Sequence, residues 1–253
     1  MYFDTHAHYD DSQFDKDRDA LLSRLGETGV SLVVNPGCNL ASSEAAVRLS
    51  ERYDFLYAAV GYHPHDARLM DDNSAAVLAI LAKNKKVVAI GEIGLDYHYD
   101  NSPRDVQRLR FREQLELSRT VGLPVIVHER EAAADCLAIV RDYADVPGVL
   151  HCFSGSLETA KRYIEMGWYL SFTGVITYKT AKRALEVIKW MPQDRLMLET
   201  DAPYLSPEPV RGKRNSSHNL PHIAEAVAAA RGLTREEAAA ITMENGKRFF
   251  GIG

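Results

Sequence analysis

The chain has 253 residues, 46% of them hydrophobic, and a formal charge of −5, enough for one sizeable core at a length near the ~250 residues common for single α/β barrels. The negative balance argues against a surface built to grip polyanions everywhere. Cys38, Cys136 and Cys152 form no CxxC pair and no even disulfide set, and no run approaches the roughly 20 apolar residues of a membrane helix.

The first block, MYFDTHAHYDD, has neither a basic nor an apolar leader segment, so a cytoplasmic protein is expected. In chain order, apolar strand-like runs fall at 2–6, 31–35, 56–61, 87–91, 124–128, 149–152, 168–173 and 195–200. Helical periodicity falls between them at 16–27, 42–52, 73–82, 104–121, 132–143, 157–165 and 180–190, and twice more at about 220–231 and 234–249. Thr234 and Glu237 supply a capping-box spacing for the last of these. Eight βα units predict a (β/α)8 TIM-type barrel of the α/β class with an extra C-terminal helix, one domain over 1–253. An open doubly wound sheet is the alternative. The barrel is preferred because its strand ends converge on one mouth, where residues remote in sequence can meet.

Metal-capable side chains recur at those strand ends. His6 and His8 are two positions apart, so the period of a strand puts both on one face. Glu92 follows Val88-Ala89-Ile90-Gly91, where an unpaired buried carboxylate would cost several kcal/mol. His128 and His151 close the fifth and sixth runs, and Asp201 follows the eighth. Imidazoles mixed with carboxylates suit Zn or Mn better than Mg, and a pair of divalent ions becomes plausible if one carboxylate is shared. Glu199 lies lower on the same strand face as Asp201 and is expected to orient an imidazole. Cys152 is expected to point to the opposite face. His63 and His65 stand after the third run; His63 is expected to touch substrate rather than metal. His98, His218 and His222 read as surface or locally hydrogen-bonded residues. Arg211, Lys213 and Arg214 concentrate charge in a Pro/Gly/Ser-rich loop, with Lys179, Lys182 and Arg183 upstream.

Blocks across nearly the whole chain resemble the TatD-type metal-dependent deoxyribonucleases. They are DTHAHYD at 4–10, GYHPHDA at 61–67, GEIGLDYH at 91–98, PVIVHERE at 124–131, HCFSG at 151–155, ETDAPYL at 199–205, RGKRN at 211–215 and ENGKRFFG at 244–251. The resemblance implies a TIM-type barrel with His6, His8, Glu92 and Asp201 around one ion, and Glu92, His128 and His151 around another. It also implies 3′–5′ exonuclease or other deoxyribonuclease activity on DNA; some relatives act on D-aminoacyl-tRNA. The chain departs from the family where RGKRN is often followed by Glu-Pro and here by Ser216-Ser217-His218.

On this reading Asp201 is the general base, His63 and Arg130 meet phosphate oxygens, and Arg211, Lys213 and Arg214 hold the adjoining backbone. DNA is the expected partner and tRNA the second, with no obligate protein partner and no membrane. Two other readings use the same ligands: an ester or amide hydrolase such as a D-aminoacyl-tRNA deacylase, and a metal-loaded binding protein without turnover.

Overall fold

Strand β4 (Val87–Asp96) is buried along its whole length, as a strand covered on both faces must be. It belongs to a computed structural model that describes all residues, Met1–Gly253. The other strands are β1 (Tyr2–Asp4), β2 (Val30–Pro36), β3 (Leu56–Val60), β5 (Val125–Arg130), β6 (Gly148–Leu150), β7 (Tyr169–Phe172) and β8 (Leu196–Leu198). The helices are α1 (Arg18–Leu22), α2 (Leu40–Arg52), α3 (Ser74–Leu81), α4 (Arg104–Val121), α5 (Ala133–Arg141), α6 (Leu157–Glu165), α7 (Lys182–Trp190), α8 (Leu220–Arg231) and α9 (Arg235–Phe250).

The eight strands form one sheet in chain order, β1 to β8. β8 lies beside β1: Thr5 N–H donates to Leu198 O at 3.2 Å and Asp201 N–H to His6 O at 2.9 Å. Sequential order with the last strand against the first is the (β/α)8 barrel, and it excludes the open doubly wound sheet. α9 is the extra C-terminal helix. No helix is long and apolar enough to cross a membrane.

Packing divides the chain into two compact units, Met1–Asn35 with Cys152–Glu165 and Tyr169–Gly253, and Pro36–His151 with Met166–Trp168. In the first, α9 begins at the expected capping box, Thr234 accepting from Glu237 N–H. Its Phe250 ring lies 5.7 Å from that of Phe3. Gly246 permits this approach, since a Cβ there would stand 2.6 Å from Phe3 Cδ1.

In the second unit β4 pairs with β5 so that Gly94 faces His128 and Asp96 faces Arg130. Two glutamines on the buried face of α4 tie this helix to the end of β4 and to the loop after β3. Gln114 accepts from Tyr62 N–H at 2.6 Å, and Gln107 accepts from Asp96 N–H at 2.8 Å.

Several sequence boundaries need correction. β4 continues five residues past Gly91, with a register shift between Ile90 and Ile93, so Glu92 sits within the strand rather than after it. The glycines that resemble terminators allow close approach instead: a Cβ on Gly91 would meet Ile126 Cβ at 2.7 Å. The first predicted helix is cut to α1, because a 3-10 turn at Leu25–Thr28 ends on Gly29 with φ +81°. β1 stops at Asp4, before both histidines.

Candidate metal centre

In the first unit, His6 and His8 follow β1 and their rings meet, Nε2 to Nε2, at 3.0 Å. Asp201, in the left-handed region at φ +56°, brings Oδ1 to 3.7 Å from His6 Nε2 and 3.5 Å from His8 Nε2. His6 is fully buried, while the Asp201 side chain keeps 15% exposure, so water can reach the acid. Glu199 is buried and accepts the backbone N–H of Cys152. Its carboxylate lies within 4.8 Å of a ring nitrogen of His6.

Beneath this group Asp4 is wholly buried. It accepts from Thr200 N–H at 2.9 Å and from the hydroxyls of Thr200 and Ser217 at 2.5 and 2.6 Å. Burial pushes its carboxyl up to about 7, against the pull of those hydroxyls. Ser217 belongs to the departure from the family pattern: its N–H donates to Tyr9 Oη at 2.9 Å, a bond that proline could not make.

In the second unit three imidazoles converge on one oxygen. Glu92 Oε1 lies 3.0 Å from His128 Nδ1, 2.9 Å from His151 Nε2 and 3.5 Å from His63 Nε2. His128 Nδ1 and His151 Nε2 are 3.3 Å apart. Asp96, nearly fully buried, takes His128 Nε2 at 3.1 Å and His65 Nε2 at 3.0 Å on Oδ2, while Oδ1 accepts the N–H groups of His98 and Tyr99. Burial opposes ionisation of Asp96, but the two imidazoles and the backbone donors win and hold it far below the usual carboxylate range.

An ionised Asp96 only accepts, so His128 must present Nε2–H to it. Its Nδ1 lone pair then faces Glu92 and His151, which is repulsive unless a proton or a cation lies between. Burial pulls the His128 pKa down, yet bonds to Asp96 and Glu92 outweigh it and raise it. A divalent ion can take that proton's place. The donor spacings fit one: 3.0 Å for His6–His8 and 3.3 Å for His128–His151 match the roughly 2.8–3.4 Å between neighbouring donors bonded at about 2.0–2.1 Å to an octahedral or tetrahedral metal.

His63 differs. Its Nδ1 accepts from His65 N–H at 3.1 Å, and burial holds its pKa well below the ordinary value. The neutral ring therefore carries its proton on Nε2 and is a donor, suited to an oxygen rather than a metal.

The basic residues are more dispersed. Arg130 is exposed and stacks on Tyr99, 4.8 Å from the ring centroid. Arg211 stacks on Tyr178 at 4.3 Å and pairs with Glu208 at 3.3 Å. Lys213 is exposed. Arg214 is engaged by Asp17 at 2.6 Å and lies over Phe14 at 4.7 Å. Cys152 departs from expectation: β6 ends at Leu150, and the residue sits at φ +48° with Sγ 3.4 Å from Thr173 Oγ1, so strand alternation does not govern it. His98 pairs with Glu131 at 2.7 Å, His218 meets Thr28 at 3.2 Å, and His222 lines a surface pocket between α7 and α8. Asp96, Gln107 and Gln114 carried no sequence signal that marked them; the acid two residues before His98 in GEIGLDYH was the nearest to one.

A (β/α)8 fold with buried imidazole–carboxylate clusters at its strand ends defines a metal-dependent hydrolase. The chain belongs to the TatD family: the sequence profile described as TatD related DNase matches residues 3–251. It is 44% identical over the full length of both chains to the uncharacterized metal-dependent hydrolase YabD of Bacillus subtilis. It is 40% identical to the 3'-5' ssDNA/RNA exonuclease TatD of Cronobacter sakazakii, covering 98% of this chain and 97% of that one. The crystal structure of YJJV, a TatD homologue from Escherichia coli K12, superposes with a TM-score of 0.94 at 31% identity over 100% of this chain and 98% of that one.

Proposed function

We propose that this protein is a 3′–5′ exonuclease acting on single-stranded DNA ends, with residues 1–253 as one hydrolase domain, two divalent ions (Zn, Mn or Mg) as cofactors, and a cytoplasmic setting. The observation that carries its metal-dependent part is the His128 ring, whose Nδ1 is turned toward Glu92 and His151 while Nε2 is committed to Asp96. The relative named as an ssDNA/RNA exonuclease supports the substrate class.

His6, His8 and Asp201 would hold one ion, and Glu92, His128 and His151 the other. Such ions supply Lewis acidity at phosphoryl oxygens and a water acidified toward neutral pH. Asp201, the most accessible acid of its group, takes the proton of the attacking water on the carboxylate oxygen not turned to His6 and His8, Oδ2. His63 donates its Nε2–H to an oxygen of the scissile phosphate or its leaving group. Arg130, Arg211 and Lys213 neutralise neighbouring phosphates. Arg214, held by Asp17, fixes the loop that carries two of them.

Metal-loaded protein offered 3′-labelled single-stranded DNA, covalently closed single-stranded circles, D-aminoacyl-tRNA and simple esters tests the reading. Release of the label as mononucleotide, with circles resistant, is expected. Rapid ester or aminoacyl-tRNA turnover with inert DNA would overturn it in favour of a deacylase. Binding without any turnover would leave only a metal-loaded binding protein.

A further inference from the structure

We propose that Tyr99 is a stacking platform for a nucleobase of the substrate strand, with Arg130 holding the adjoining phosphate. This rests on the nucleic-acid reading above and adds a subsite to it. Tyr99 follows β4 and is 55% exposed. It is nonetheless rigidly placed. Its N–H donates to Asp96 Oδ1 at 2.9 Å, beside the His98 N–H at 3.0 Å, so the carboxylate that orients His128 also fixes the turn carrying this ring.

Three planar groups brace the tyrosine. The Arg130 guanidinium lies 4.8 Å from its centroid. The rings of His65 and His98 stand nearly perpendicular to it, at 5.4 and 4.8 Å. Ordering an exposed aromatic in this way costs rotamer freedom and gains little burial, but it prepares a π-surface for a ligand with one of its own. Every nucleobase has such a face, so the platform would be indifferent to sequence.

The neighbouring charges favour an anion at Arg130. Glu131 is paired with His98 at 2.7 Å and Asp100 with Arg104 at 2.6 Å, whereas Arg130 is stacked rather than ion-paired. The other tyrosines carrying a guanidinium near these strand ends are committed elsewhere. Tyr178 donates its hydroxyl to Ser206 O at 2.8 Å, and Tyr97 donates to Asp135 at 2.6 Å.

The test uses full-length, metal-loaded protein and its Tyr99→Ala, Tyr99→Phe and Tyr99→Trp variants on oligo-dT and on a strand of the same length whose terminal nucleotides are abasic. Tyr99→Ala is expected to raise KM on oligo-dT by roughly 5- to 100-fold, the loss of one base–aromatic stack, with metal content and Tm unaltered. Tyr99→Phe and Tyr99→Trp should restore it, and the penalty should be confined to strands that carry bases. Unchanged KM for Tyr99→Ala, or an equal penalty on the abasic strand, would overturn the platform while leaving the nuclease intact. Wild-type protein that neither binds nor cleaves DNA yet turns over esters would bring down the functional reading itself, and this subsite with it.

Discussion

His128 Nε2 lies 3.1 Å from Asp96 Oδ2, and that contact decides which nitrogen of the ring is left for a cation. Asp96→Asn puts an amide where an acceptor stood; turned toward the ring, it favours the Nδ1–H tautomer and blocks ligation. Affinity for the ion held by His128 and His151 is expected to fall about 10- to 100-fold, the usual scale for losing a partner behind a metal-bound histidine. Chelator competition measures the affinity, and two-bond proton–nitrogen NMR of the imidazoles reads the tautomer. A wild-type His128 that in the metal-loaded protein carries its proton on Nδ1 instead of Nε2 would sink the argument.

Asp201→Asn keeps an oxygen near His6 and His8 but cannot accept the water's proton. We expect kcat to drop by roughly 10²–10⁴-fold, the range for losing a general base, with Tm little changed. Metal analysis alongside single-turnover cleavage separates this from loss of the ion. Full activity with normal metal content would show that another group takes the proton.

The buried Asp4 makes stability depend on pH. Its folded pKa of about 7 lies above the ordinary 3.8, so between those values the folded state keeps a proton that the unfolded chain releases. Stability is therefore greatest at the acid end of this window and falls as pH rises through about 7. From about pH 5 to about pH 8 the loss from this group is on the order of 2–3 kcal/mol. Asp4→Asn can keep its bonds to Thr200 and Ser217 and should remove that slope. Urea unfolding of chelated protein at the two pH values makes the comparison.

Gly94→Ala should be severe. Gly94 has φ +135°, and a Cβ there would lie 2.0 Å from His128 O, so β5 would have to move exactly where it carries the metal-facing ring. A loss above about 3 kcal/mol is expected, together with weaker metal binding. Thermal unfolding and metal titration check both; a variant with native Tm would refute the close approach.

The regular elements were the most legible part of the sequence. Helices at 104–121, 157–165 and 220–231 match α4, α6 and α8, because their apolar period and flanking glycines or polar caps act locally. The His6–His8 contact followed from alternation even though β1 ends before it. Asp96 was hidden for the opposite reason: its partners His65 and His128 lie 31 and 32 residues away, and nothing in the local pattern separates such an acid from a surface one. Gln107 and Gln114 look like solvent-facing helix residues, yet they point inward to satisfy backbone that no strand neighbour reaches. The charge cluster around Arg214 is visible in sequence, while the pairing of Arg214 with Asp17, remote in the chain, is not.

Thr5 and Leu198, hydrogen-bonded across 193 positions, set a timetable for biosynthesis. The first two histidines leave the ribosome long before Asp201, so the amino-terminal cation cradle cannot be completed until translation is nearly over. Residues 36–151, which form most of the second unit in one continuous stretch, can gather first, since nearby contacts form faster than remote ones. Pulse-labelled hydrogen exchange during refolding should accordingly protect β4 and β5 before β1, leaving metal capture by His6 and His8 among the last events.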